Sequence, residues 1–115
     1  MSLAGARERE LSETLKKYYP YKSDRPTKKF YIITNDNKKV YFGASWYEHY
    51  TSGHLDERRK LAYISRHRKN EDWGDPNTAG FWSYWFLWQY RTYEEAYRKI
   101  RKDILAKGLL ASPLR

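Results

Sequence analysis

Cysteine is absent from the 115 residues, which excludes disulfides and thiolate metal sites and leaves the redox compartment unread. Histidine is scarce too. His49, His54 and His67 are the only imidazoles; the spacing of the first two fits neither one helix face nor a finger pattern, so no metal and no cofactor is expected. Gly43, Gly53, Gly74 and Gly80 stand far apart and form neither G-x-x-x-x-G-K nor G-x-G-x-x-G, which removes nucleotide-phosphate loops. Ser45, Ser52, Ser65 and Ser83 lie in no G-x-S-x-G context, so acyl transfer is not indicated. No apolar run approaches the roughly 20 residues that span a bilayer, and Met1–Gly5 runs into charge without a signal-peptide core. A soluble, intracellular protein with no membrane span is expected.

What the chain does have is positive charge and aromatic rings. Lysine and arginine number 23 against 14 acids, giving a net charge of +9 and a pI near 9.7. That excess points to a polyanion or an acidic protein surface as partner, nucleic acid first. Aromatics make up 18% of residues although the mean hydropathy is -1.04, so burial rests on a few large rings, each able to bury about 150–250 Å². The length fits one domain.

Taken in order, Arg7–Tyr19 carries Leu11, Leu15 and Tyr18 at helical spacing, with acids early and bases late, as the helix dipole favours. Pro20 stops this predicted helix, and residues 21–27 read as an extended linker between Pro20 and Pro26. Residues 1–27 are therefore expected to form an arm. Lys29–Thr34 and Lys39–Gly43, rich in β-branched and aromatic residues around Asn35-Asp36-Asn37-Lys38, predict a β-hairpin. Phe30 and Ile32 should share one face with Tyr31 and Ile33 on the other, and Val40 and Phe42 should pair with one of these sets. A hairpin alone is marginal, so a third strand or a covering helix is required.

Residues 44–54 have no clear period and read as an ordered loop that returns Trp46, Tyr47 and Tyr50 to the core. Asp56 then caps a helix through Arg68 with Leu61 and Ile64 inward. Residues 69–77, punctuated by Gly74 and Pro76, are a loop in which Glu71 and Asp72 read as a charged helix end and not as an acid/base pair. Thr78 caps a short helix from Ala79 to Trp88 that is apolar nearly all round, with Phe81, Trp82, Trp85, Phe86 and Trp88 as its core residues. Thr92-Tyr93-Glu94-Glu95 opens the last helix, whose buried stripe is Tyr93, Tyr97, Ile100 and Ile104 and which Gly108 ends. The fold class is α+β: one small domain over 28–108, a β-hairpin with or without a further strand packed on three or four helices, and a tail over 109–115.

The basic residues concentrate on two of these helices. Arg58, Arg59, Lys60, Arg66, Arg68 and Lys69 on one, and Arg98, Lys99, Arg101 and Lys102 on the other, would neutralise phosphates while nearby Trp or Tyr stacks bases. Such binding is tolerant of sequence and sensitive to salt. A solvated helix face is the bland reading of the same residues.

Two resemblances add to this. Phe30-Tyr31-Ile32-Ile33 and Val40-Tyr41-Phe42-Gly43, followed by a basic helix, are similar to the paired strands of the GIY-YIG endonuclease fold. That resemblance implies Tyr31 and Tyr41 at the nucleophilic water, Arg58 or Arg59 on the phosphate and Glu94 or Glu95 on a divalent metal. Lys29 stands where that fold has its first glycine.

The second covers residues 39 to 104. Tyr63-Ile64-Ser65-Arg66-His67, Asn70-Glu71-Asp72-Trp73 and Thr78-Ala79-Gly80-Phe81-Trp82-Ser83-Tyr84-Trp85-Phe86-Leu87-Trp88 resemble the hallmark of a small uncharacterised family of giant DNA viruses and tailed phages: Tyr-Ile-x-Arg-His, Asn-Glu-x-Trp, then Thr-Ala-Gly-Phe-Trp-Ser-x-Trp-x-Leu-Trp. It implies a viral origin and a non-enzymatic virion or assembly component, a minor capsid or capsid-internal protein within the virion and the host cell. Its partners would be capsid proteins, nucleic acid or both, reached partly through the N-terminal arm and C-terminal tail. The expectations are thus a virion component, a sequence-tolerant nucleic-acid binder and, third, a metal-dependent nuclease.

Overall fold

Runs of β-branched and aromatic residues around an Asn-rich turn build the predicted hairpin from two strands, β2 (Lys28–Ile33) and β3 (Lys39–Ala44). Asn37, at φ 63°, supplies the left-handed residue that the turn needs. The antiparallel register places Phe30 opposite Phe42 and Ile32 opposite Val40 on one face, and Tyr31 opposite Tyr41 on the other. The computed structural model describes residues 15–105.

The hairpin gains its third strand from the segment read as a linker. Tyr21–Lys22 forms β1 and pairs antiparallel with β2, giving the sheet order β1-β2-β3. Most of the predicted N-terminal helix lies outside the described residues, but its end is not helical, because Tyr18 sits at φ 54°. Tertiary bonds outweigh helical periodicity there. The Tyr18 backbone N–H donates to the Ile33 carbonyl (2.9 Å), its ring is 1% exposed, and its hydroxyl donates to Asn77 (2.6 Å) while accepting from the Asn35 amide (3.1 Å). From residue 15 onward the arm is part of the domain.

α1 (Glu57–His67) starts where Asp56 accepts from the Arg58 and Arg59 amides at 2.9 and 3.3 Å. Its inward face differs from the expected one in part: Ile64 packs against the core as expected, but Leu61 does not. Leu61 is 62% exposed, whereas Tyr63 is buried and stacks on Trp88 with centroids 4.5 Å apart and planes 7° apart. The large ring surface offered by Trp88 decides which stripe turns inward. In the preceding loop Tyr50 is buried as expected, but Trp46 does not return to the core and is 75% exposed. Residues Tyr50–His54 form a wide turn with Ser52 at φ 53°, held to the start of the last helix by Ser52 N–H to Arg91 O (2.8 Å) and Tyr93 N–H to Ser52 Oγ (3.2 Å).

α2 begins as a regular helix, Ala79–Trp82, and continues with π-type spacing over Ser83–Trp88. The wider spacing brings three consecutive side chains, Phe86, Leu87 and Trp88, into buried positions, which one face of a regular helix would not allow. Phe81 and Trp82 are also buried, while Trp85 is half-buried and donates Nε1–H to the Trp73 carbonyl at 2.7 Å. Phe42 meets Trp82 (6.0 Å) and Phe86 (6.1 Å), and Phe30 meets Phe86 (5.3 Å), so the sheet's inner face packs on α2. Gly43, at φ 80°, leaves room for Leu87: a Cβ there would lie 2.9 Å from Leu87 Cδ1.

Thr78 Oγ1 accepts from the Phe81 amide at 3.2 Å, the cap expected from sequence. Thr78→Ala should cost about 1 kcal/mol, read as a lower urea midpoint at unchanged slope; an unchanged midpoint would deny the cap any energetic role. α3 runs over Tyr93–Lys99 and continues through Ile100–Leu105, with Thr92 capping the Glu95 amide at 3.1 Å. Ala96 and Ile100 are buried and Tyr93 stacks on Phe86 at 5.1 Å. The side chain of Ile104, the predicted helix end at Gly108 and the tail over 109–115 lie outside the described residues. The architecture is α+β, a three-stranded antiparallel sheet covered on one face by helices.

Candidate nucleic-acid interface

With Phe30 and Phe42 turned toward the helices, strand alternation sends Tyr31 and Tyr41 to the opposite face of the sheet. Their rings lie 5.5 Å apart, and Tyr21, opposite Tyr31 in the β1 register, adds a third ring at 5.8 Å. The row then continues around the β1 edge. Tyr19 lies 4.8 Å from Tyr21, and Tyr97 of α3 lies 5.0 Å from Tyr19. Five tyrosines from four segments thus form one strip, each ring half-buried or more open.

Cations line the strip along its length. The Arg25 guanidinium sits 4.0 Å from the Tyr41 ring centre and Lys39 Nζ 4.7 Å from that of Tyr31. Lys16 Nζ lies 5.6 and 5.7 Å from the Tyr19 and Tyr97 rings, and Arg101 5.8 Å from Tyr97. Two acids interrupt them: Glu94 shares a groove with Tyr19 and Tyr97, and Asp24 accepts from the Tyr41 hydroxyl (2.6 Å) and from Lys39 Nζ (3.0 Å). Those two bonds, the tyrosine's first, hold its carboxyl below the ordinary carboxylate range. Partly exposed rings and cations are the two elements that single-strand binding surfaces combine, stacking for bases and charge for phosphates.

The basic residues expected from sequence take varied positions. Arg58, Arg68, Lys69, Arg98 and Lys102 are exposed and Lys99 is half-buried. Arg59 reaches Glu48 at 4.0 Å, and Lys60 is committed to the Gln89 carbonyl (3.2 Å) and the Tyr50 ring (4.9 Å). Arg66 lines a separate pocket with Tyr63 and His67. Of the ten, Arg101 alone touches the tyrosine strip.

The nuclease constellation is not assembled. Tyr31 and Tyr41 stand side by side on the outer face, whereas Glu94 lines a groove with Phe30, Phe86 and Tyr93 that opens beside Tyr19 and Tyr97 at the β1 edge. Glu95 accepts from the Arg91 amide at 3.3 Å, and Arg58 and Arg59 open α1, which packs on the Tyr50–His54 turn and α2. Among the described residues no group of three or more His, Asp or Glu is placed to hold a metal, and no described helix is long and apolar enough to cross a membrane.

Residues 21–67 match a family of unknown function, DUF5754. The matched stretch runs from β1 to the end of α1, so it includes Tyr21, Tyr31, Tyr41, Arg25 and Lys39 but not the tryptophan block. Comparison with curated proteins and with solved structures gives no match. Sequence reasoning singled out Tyr31 and Tyr41 but missed Lys16, Tyr19, Tyr21, Arg25 and Lys39 as a set. The signal available was the i, i+2 pair Tyr19 and Tyr21 beside a hairpin with tyrosines at matched positions.

Proposed function

We propose that the protein binds single-stranded nucleic acid without marked sequence preference, laying the strand along the tyrosine strip. The observation that carries this reading is the row Tyr97–Tyr19–Tyr21–Tyr31–Tyr41 with Lys16, Arg101, Lys39 and Arg25 at its rings. Rings accept any base on their faces, and the net charge of +9 supplies the long-range attraction. The role is one of binding and not of catalysis. In a virion, the setting implied by the tryptophan-block resemblance alone, the strand would be the genome.

Fluorescence anisotropy with labelled oligonucleotides across a salt series tests this. Single strands of different sequence should bind with similar affinity and a negative slope of log K against log salt. Tyr31→Ala should weaken binding by about 1–3 kcal/mol, roughly 5- to 150-fold. No single-strand binding at low salt, or an unchanged affinity in Tyr31→Ala, would refute the reading.

A second reading, a surface that packs against protein in an assembly, is favoured by Trp46. That side chain is 75% exposed beside Tyr47 at 38%, and exposed aromatics of this size are enriched where proteins meet. The copy number of the protein in purified particles is the measurement that bears on it.

A further inference from the structure

The motif residues Tyr63, Arg66 and His67, and Trp88 from the tryptophan block, take no part in the tyrosine strip. They converge instead on a pocket of about 230 Å³, which Tyr47 and His49 from the loop after β3 complete. Drug-sized ligands occupy pockets of about 300–1,000 Å³, so this one is scaled to a single ring system. Its walls are rings. Trp88, Tyr63 and His67 form a continuous stack, 4.5 Å between the first pair and 4.4 Å between the second. His49 meets Trp88 edge-on at 5.8 Å, and Tyr47 stands 5.4 Å from His49 and 6.1 Å from Trp88 at the more open side.

The polar groups are few and mostly donors. Lys29 Nζ lies 2.9 Å from His49 Nδ1. An ammonium can only donate, so Nδ1 accepts and the imidazole proton resides on Nε2. The buried Tyr63 hydroxyl has no hydrogen-bond partner among the described residues. An unmade bond at a buried polar atom is costly, which favours a ligand able to satisfy it. Arg66 is exposed at the pocket with its fork of donors, and Lys29 lies behind His49. His67 pairs with Glu71 (3.3 Å), which leaves that acid engaged. Flat aromatic walls, the unpartnered Tyr63 hydroxyl and net positive charge select a planar heteroaromatic ring that carries an anionic group.

We propose that this pocket binds one nucleoside monophosphate unit, its base against the Tyr47 and His67 rings and its phosphate on Arg66. The unit is supplied either as a free mononucleotide or as the 5′-phosphorylated end of a strand. The site is separate from the tyrosine strip and does not depend on that strip's function.

Two-dimensional NMR of the full chain, following the Trp88 indole and the His49 and His67 ring signals, tests the assignment. AMP should shift all three in a saturable way, while adenosine and inorganic phosphate at the same concentrations should be at least 10-fold weaker. Arg66→Ala and Tyr47→Ala, both at exposed positions, should each weaken AMP at least 10-fold, with Tyr31→Ala of the strip leaving it unchanged. A 5′-phosphorylated dinucleotide binding more tightly than AMP assigns the site to strand ends; AMP binding at least as tightly assigns it to the free nucleotide. No shift with either probe, or inorganic phosphate matching AMP, overturns the proposal. Failure of the strip would instead appear as lost oligonucleotide binding in Tyr31→Ala with AMP binding intact.

Discussion

Trp82→Ala is expected to remove about 3–5 kcal/mol of stability, the largest loss of any single change considered for this domain. Trp82 is fully buried, its ring 6.0 Å from Phe42 and 5.4 Å from Phe81, and its Nε1–H donates to the Pro76 carbonyl at 2.8 Å. The truncation therefore leaves a cavity between sheet and α2 and also strands the Pro76 carbonyl. Small domains total only about 5–15 kcal/mol, so the variant loses a large share of its margin. At roughly 4–8 °C per kcal/mol for a domain of this size, Tm should fall by roughly 12–40 °C. Trp82→Phe keeps most of the ring and loses the hydrogen bond, so its Tm should fall by clearly less. Thermal unfolding followed by circular dichroism gives both values. A loss below about 1 kcal/mol for Trp82→Ala would show that α2 is not the element on which the sheet packs.

Acidification is expected to weaken the fold in a window set by His49. This side chain is 6% exposed, and burial, then Lys29, then His54, push its pKa from 6.5 to about 4. Protonation would place a second cation 2.9 Å from Lys29 Nζ. In the unfolded chain the same imidazole titrates near its ordinary value. Above that value neither state binds the proton and the contribution is nil. Below it the unfolded state gains a proton that the folded state refuses, so stability falls between about pH 6.5 and 4 and then levels off. The loss is on the order of 2–3 kcal/mol.

His54, also lowered chiefly by burial, acts in the same direction. The depressed carboxyls Asp24 and Asp36 act at lower pH, since their stabilisation is lost as pH falls through their folded pKa values, below the ordinary 3.8. Urea midpoints measured at several pH values should therefore drop across the His49 window in the native protein. His49→Asn, whose amide oxygen can accept from Lys29 without taking up a proton, should flatten most of that drop. An identical slope in the variant would assign the acid sensitivity to other groups.

Much of the local structure was legible because its causes are local. The hairpin follows from two runs rich in β-branched and aromatic residues and from an Asn-rich turn, and its face assignment follows from the period of two. The caps Asp56, Thr78 and Thr92 were readable because a side-chain oxygen satisfies an amide two or three residues on. β1 was not legible. Two residues between prolines carry no period, and what makes Tyr21–Lys22 a strand is the free edge of β2. The same cause undid the helical end at Tyr18, whose hydroxyl bonds Asn77, 59 positions away. Leu61 was assigned inward on α1 because hydrophobicity ranks leucine inward, while Trp88 offers a flat partner that the Tyr63 ring fills better.

The sequence by itself determined the composition from which the tyrosine strip is built: net positive charge, many tyrosines, and the strand alternation that separates Tyr31 and Tyr41 from Phe30 and Phe42. Those properties depend on residue type and on neighbours within a few positions. Which basic residues meet which rings was decided only by the tertiary structure. The obvious arginine runs on α1 and α3 contribute only Arg101 to the strip, whereas Lys16, Arg25 and Lys39, unremarkable in sequence, sit at its rings. The physical reason is that a ring contact acts over about 6 Å. Distances that short between distant segments are set by the register of β1 on β2 and by the packing of α3 on the inner face.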